Sequence, residues 1–268
     1  MTSLPSDAPL YLASASPRRS QLLAQAGIIF QQFVVPIDED ALAEAYTGPL
    51  ESLGEYLAQQ KALAAYAALQ SAGKPLGRVL ASDTTVLLAG RSLAKPRDHA
   101  EAASMLGALR DREHIVATGV ALVDPAAGVL RSATSATRVR MRAYSDDEIA
   151  AYVATGDPLD KAGAYSIQHP AFQPVATLAG CHLGVIGLPI CLVAALLAMA
   201  GEAPDRAAMP TAAMPTAAMP TAAMPTAAMP TAATGCPWSS QCRAPYPTGQ
   251  AIRSRALGVE TAKDAKGE

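Results

Sequence analysis

Residues 207–231 repeat the pentad Ala-Ala-Met-Pro-Thr five times without interruption. A proline at every fifth position removes a backbone donor from each turn of a would-be helix, and one methionine per pentad offers no continuous apolar face. Such a stretch cannot build a core, so the information for folding must lie before it. Gly201 and Pro204 mark where the apolar patterning stops. The chain is thereby divided into a folded unit over 1–204 and a low-complexity tail over 205–268, expected to lack regular structure. Five of the nine methionines lie in the pentads, so the 50% hydrophobic content overstates the core.

Charge excludes two classes of protein. The 21 Lys+Arg and 23 Asp+Glu give a formal charge of -2, neither the field of a broadly basic nucleic-acid coat nor that of an acidic disordered chain. Arg243, Arg253, Arg255, Lys263 and Lys266 are too sparse and too mixed with acidic residues to form a nucleic-acid module, so no nucleic-acid partner is expected and the tail's partner stays open. The N-terminus lacks a secretory pattern because Pro5 and Asp7 interrupt it, and the apolar run 185–200 is short and broken by Gly187 and Pro189. Four scattered cysteines suit a reduced compartment, and the expectation is a cytoplasmic protein without a membrane span.

Periodicity gives an α/β chain. Leu10–Ala13 reads as a buried strand, and Pro17 opens a helix that runs to about Ala26 before Gly27. The spacing predicts a helix over 52–72, with Ser52 as N-cap and Glu55 completing a capping box. Residues 78–82 and 85–89 read as strand material separated near Asp83. Asp98 caps a helix to about Leu109, residues 114–123 and 129–141 form two strands of one central sheet, and Ser145 to Glu148 introduce another helix. Residues 175–186 have strand chemistry and Pro189 starts the last helix.

Three places can carry chemistry. Ser14-Ala-Ser16-Pro17-Arg18-Arg19 joins small hydroxyl residues, a helix start and two guanidinium groups, a set suited to gripping phosphate, although an ordinary Ser-Pro helix start with solvated arginines fits the same residues. Asp38-Glu39-Asp40 offers Glu39 as a metal ligand or a plain solvated turn. Ser82-Asp83-Thr84 offers a carboxylate able to orient a metal or take a proton from water, or simply a polar strand end. The four dispersed histidines do not form a zinc pattern.

In order along the chain, these segments with Lys61 and Lys95-Pro96 resemble the landmarks of the Maf-like nucleoside triphosphate pyrophosphatase family, over about residues 8–200. Thr155-Gly-Asp-Pro158, Asp160-Lys161-Ala-Gly163, Tyr165-Ser-Ile-Gln168 and Gly187-Leu-Pro189 extend the resemblance. It implies a two-lobed α/β fold with a central mixed sheet and a cleft between the lobes. The implied reaction is hydrolysis of the bond between the α and β phosphates of a nucleoside triphosphate, giving monophosphate and pyrophosphate with Mg2+ or Mn2+ as cofactor. Transferred residue by residue, Ser14, Ser16, Arg18 and Arg19 hold phosphates, Glu39 and Asp83 organise metal and water, and Lys61 and Lys95 line the cleft and complete the catalytic set with Glu39 and Asp83. Thr84, Lys161 and Gln168 are expected to face the base, in the manner of the dTTP/UTP branch. Family resemblance alone suggests a homodimer. His169-Pro170 and Cys181-His182-Leu183-Gly184 depart from the usual pattern, which bears on base preference and loop geometry. Two other readings stand beside this one: a noncatalytic nucleotide-binding regulator of cell division or stress, and an interaction module in the tail.

Overall fold

The computed structural model describes residues 8–200 and 252–257. One eight-stranded mixed sheet organises the chain, with strand order β2-β1-β3-β5-β6-β7, β4 pairing with β3 and β8 with β6. The strands are β1 (Leu10–Leu12), β2 (Gln31–Gln32), β3 (Arg78–Leu88), β4 (Arg91–Leu93), β5 (Glu113–Asp124), β6 (Val129–Met141), β7 (Val175–Ala179) and β8 (Arg253–Ala256). The helices are α1 (Pro17–Gln25), α2 (Glu39–Glu44), α3 (Leu53–Ser71), α4 (His99–Leu109), α5 (Asp146–Ala154), α6 (His182–Ile186) and α7 (Ile190–Met199). The mixed α/β architecture expected from the sequence is thus present.

Strand alternation sorts the core into layers. Leu80, Val120 and Leu122 turn one way and pack with Leu22 and Leu23 of α1 and with Leu192 and Leu196 of α7. Their neighbours Val79, Ala81, Ala121 and Val123 turn the other way, onto Ala58, Ala62 and Leu69 of α3. Farther along the long strands, Val86, Leu88 and Val116 pack with α4 and α5 through Leu106, Leu109, Ile149 and Tyr152. These two helical groups at opposite ends of β3 are the two lobes.

The sheet is notched between them. β3 pairs on one edge with β1 in parallel, as far as Leu80, and with β4 antiparallel, from Val86 onward. Between those pairings, Ser82 to Thr85 are without a strand neighbour on that edge, while the other edge stays fully paired to β5. β1 ends at the same notch and feeds the Ser14–Ser16 turn and the start of α1.

Helix α3 lies unusually close to the sheet behind the notch. Gly119 stands opposite Asp83 in the β3–β5 register, and a methyl placed on it would fall 2.1 Å from the backbone nitrogen of Glu55. Only a glycine allows this approach of helix to strand.

Four sequence expectations are revised. β3 runs without a break through Asp83, because its β5 edge supplies a continuous ladder that outweighs the weak strand preference of the aspartate. Ser52 makes no side-chain cap and lies at the end of a short 3-10 turn, and Glu55 reaches into the sheet instead of closing a capping box. His182 begins a helix, not a strand, because Gly180 turns the chain at a φ of 143° and Cys181 Sγ accepts from the Gly184 N–H. Within the segment expected to be a structureless tail, Arg253–Ala256 forms β8 against β6. The pentads and the 204/205 boundary lie outside the described residues.

Candidate active site

The site is built around the ammonium of Lys61. It sits on α3 and donates to Glu39 Oε2 at 2.7 Å and Asp83 Oδ1 at 2.6 Å. The three residues come from three elements: α2, whose first residue is Glu39 and whose N-cap Asp38 accepts from Ala41 N–H, α3, and the notch of β3. Lys61 and Asp83 are only 12% and 13% exposed at their side chains, whereas Glu39 at 44% faces the opening. Among the described residues, Asp83 Oδ2 has no hydrogen-bond partner.

Strand alternation sends Thr84 to the other side of the notch from Asp83. There it shares a hydrogen bond of 3.0 Å with Thr118 and accepts from Arg19 at 3.4 Å. Arg19 also donates to the Gly187 carbonyl at 2.9 Å and to Ser14 Oγ at 3.2 Å. Burial pulls its guanidinium below the usual pKa, against the pull of the Asp83 and Glu39 charges. Arg19 therefore works as a strut joining α1, β3 and the α6–α7 turn. The Gly187 carbonyl takes a second donor, Ser82 Oγ, at 3.0 Å.

The turn before α1 is tightly folded. Ser14 is buried and its Oγ accepts from the Ser16 N–H, while Gln32 of β2 donates to the Ser14 carbonyl at 2.6 Å. Ser16 is the N-cap yet gives no side-chain cap, and Pro17 occupies the first helical position. The N–H groups of the following turn are thus oriented outward, in the manner that suits an anion.

Arg18 bridges the two lobes through a 3.3 Å contact with Asp160. Asp160 belongs to a 3-10 turn, Asp157–Asp160, and pairs with Lys161 at 2.5 Å. Lys161 also holds the Asp157 carbonyl at 2.6 Å and its carboxylate at 2.9 Å. Burial pushes the Asp157 carboxyl up, but donation from Tyr152 and Lys161 outweighs it and leaves the group below the usual carboxylate range. Asp160 is lowered in the same way by Lys161 and Arg18. Tyr152 stacks on Phe172 and receives the Ser166 N–H, which ties the Tyr165–Gln168 segment to α5.

Of the residues singled out in the sequence, the structure gathers Glu39, Lys61 and Asp83 into direct contact, and Ser14, Arg19 and Thr84 into a second group across β3. Arg18 and Lys161 meet only through Asp160. Ser16 is half-buried at the helix start. Lys95 and Gln168 are exposed, and among the described residues neither side chain has a hydrogen-bond or ion-pair partner. The Lys95 loop is nonetheless fixed to the far lobe, since Gly163 N–H donates to the Ala94 carbonyl. The sequence reading named Gly187 only within a family landmark, without a role in the site, and missed Thr118. The signal for Gly187 was its place before Leu188-Pro189, where φ of 125° demands glycine and its carbonyl faces Arg19.

Fold and site together define a mixed-sheet α/β protein in which an anion-ready turn and a lysine-bridged carboxylate pair share one notch. The sequence profile described as Maf-like protein matches residues 9–200. The chain is similar to the dTTP/UTP pyrophosphatase of Burkholderia lata, 44% identical over 72% of this chain and 94% of the relative. It is equally similar to those of Ralstonia nicotianae, 44% identical over 71% of this chain and 93% of the relative, and Thermomicrobium roseum, 44% identical over 75% and 89%. The chain belongs to the Maf-like family.

Proposed function

We propose that the chain is a nucleoside triphosphate pyrophosphatase acting on dTTP, UTP or modified pyrimidine nucleotides. The observation that carries this reading is the Glu39–Lys61–Asp83 cluster opening beside the Ser14–Arg19 turn. A triphosphate laid along the α1 start would meet the turn's N–H groups and Arg18, with its α phosphorus directed toward the notch. Asp83, one oxygen held by Lys61 and the other open, takes the proton from an attacking water. Lys61 holds that carboxylate in place and offsets charge gathering on the α phosphate. Arg19, occupied by three protein acceptors, positions the turn and not the substrate. Thr84 supports that strut, while Lys95, Lys161 and Gln168 line the far lobe where the base would lie.

The donor set suits Mg2+ or Mn2+. Two carboxylates already converge on one ammonium, and a hard cation of this kind is commonly held by one or two carboxylates plus substrate phosphates. Among the described residues there is no cluster of three or more His, Cys, Asp or Glu side chains that could cage a metal by itself. Glu39 and Asp83 would hold it, and when bound it would supply neutralisation of the phosphate charge and of the leaving pyrophosphate. The reading places the protein in the cytoplasm, and among the described residues no helix is long and apolar enough to cross a membrane.

The test is product analysis with purified full-length protein over a panel of nucleoside triphosphates, with and without Mg2+ or Mn2+. Monophosphate and pyrophosphate in equal amounts, fastest with dTTP or UTP, is the expected result. Orthophosphate as the only phosphate product, or binding without turnover, would sink the proposal.

A further inference from the structure

Glu55 is a carboxylate at 2% exposure, on the sheet side of the helix that carries Lys61. It accepts from Ser132 Oγ and Thr134 Oγ1 at 2.8 Å each, and both are polar residues on the face of β6 that otherwise meets α3 with apolar groups such as Leu130. Two hydroxyls satisfy lone pairs and leave the charge itself uncompensated, an expensive condition inside a protein. The compensation comes from Arg253, 198 residues away in sequence, which donates to Glu55 Oε2 at 2.9 Å.

The geometry that delivers Arg253 is specific. β8 runs antiparallel to β6 with Ser132 opposite Arg253 and Val129 opposite Ala256, and the Leu257 N–H extends the ladder to the Gly128 carbonyl. Register alone therefore sets the guanidinium beside the hydroxyl that already binds Glu55. The two ends of the segment are apolar and lie five residues apart, so they turn to opposite faces. Ile252 packs on the α1–α7 side and Leu257 on the α3 side. The same edge of β6 is covered by β7 only over Arg138 to Met141, so without β8 the stretch Val129–Ser132 would be a bare sheet edge.

The strand that delivers Arg253 lies beyond residue 200, where the family match ends. We propose that the edge Val129–Ser132 and the Glu55 carboxylate form a docking site for the chain's own C-terminal segment Ile252–Leu257. The extension then acts as a tethered edge strand that supplies a counter-charge the family region lacks, with residues 201–251 as the tether. Because the strand belongs to the same chain as the edge it covers, the pairing is intramolecular. Docking within one chain is accordingly independent of protein concentration, whereas exchange with a second copy is not.

The experiment compares full-length wild type, Arg253→Ala, Glu55→Gln and the double variant by hydrogen–deuterium exchange and thermal unfolding. Arg253→Ala is expected to raise exchange at the β8-facing amides of Leu130 and Ser132 at least tenfold and, with the guanidinium itself 66% exposed, to lower Tm by about 2–4 °C. Adding Glu55→Gln should recover most of that Tm loss, since the uncompensated charge is gone, while the edge stays fast-exchanging. If Arg253→Ala fails to fold, the double variant still reads the charge dependence. Unchanged exchange and Tm in Arg253→Ala would overturn the proposal. So would sedimentation showing a wild-type dimer that Arg253→Ala dissolves, because the strand would then be donated between copies.

Discussion

Lys61 and Lys161 are set up alike and behave differently. Each ammonium is nearly buried, 12% and 10% exposed at the side chain, and each is shared between two carboxylates. The carboxylates of Lys161 stand four residues before it and one residue before it, in the same turn, and the Asp157 backbone carbonyl joins them. Those of Lys61 lie 22 residues away on either side and arrive on separate elements. A cluster closed within five residues mends its own turn and has little to gain from a ligand. A cluster closed only by tertiary folding is held open by the fold and holds one carboxylate oxygen in reserve. Similar composition thus gives a staple in one lobe and, at the notch, the open cluster proposed as the reaction centre.

Breaking the two clusters should separate these roles. The largest effect is expected from Asp83→Asn, which keeps the shape and removes the base: kcat should fall about 10²–10⁴-fold with Tm little changed, read by turnover and by thermal unfolding of the same preparation. Unaltered turnover would dismiss Asp83 as the base. Lys61→Met should follow, at about 10²-fold in kcat, because Glu39 and Asp83 are left facing each other without their shared cation. Its losses should be in rate, not in substrate affinity alone.

Lys161→Met should reverse the pattern, costing about 1–3 kcal/mol of stability by denaturant titration and only a few-fold in kcat/KM. Its pH signature has a definite sign. Asp157 and Asp160 are held below the ordinary carboxylate range in the folded state, so their contribution is complete above the unfolded pKa of about 4 and is lost as pH falls below it. Removing Lys161 should let both groups titrate higher and move acid unfolding to higher pH. An acid-unfolding midpoint equal to wild type would erase the distinction between the clusters. The smallest effect is expected from Asp160→Asn, which frees Arg18 from a largely exposed bridge and should lower KM by about twofold or less.

The buried pair His114 and Tyr165 marks a third treatment of charge, which is to exclude it. Their contact is 2.8 Å, and burial pushes the His114 pKa down to about 4 and the Tyr165 hydroxyl up. Both stay neutral near pH 7, which suits a wall beneath the Tyr165–Gln168 segment and leaves the charge at the notch.

What could be read from the sequence was whatever depended on neighbours. The helix from Pro17 to Gln25, the strands over 113–124 and 129–141 and the start of α7 follow from local pattern and appear as expected. The Glu39, Lys61 and Asp83 trio was named from an ordered resemblance, and only the fold shows that one ammonium joins them. Glu55 was misread because a Ser followed three residues later by Glu is a local capping signal, whereas its real partners are 77, 79 and 198 residues distant. The unbroken course of β3 through Asp83 was hidden for the same reason, since the ladder that carries it belongs to β5.

Gly119 shows where the site is most vulnerable. It touches nothing that would react, yet it is the cross-strand partner of Asp83 and the floor on which α3 rests. Any side chain there would lift the helix and draw the Lys61 ammonium off its carboxylates, so the reach of this salt bridge is calibrated by the absence of one methyl group. A survey of tolerated substitutions would score this silent position as strictly as the carboxylate opposite it.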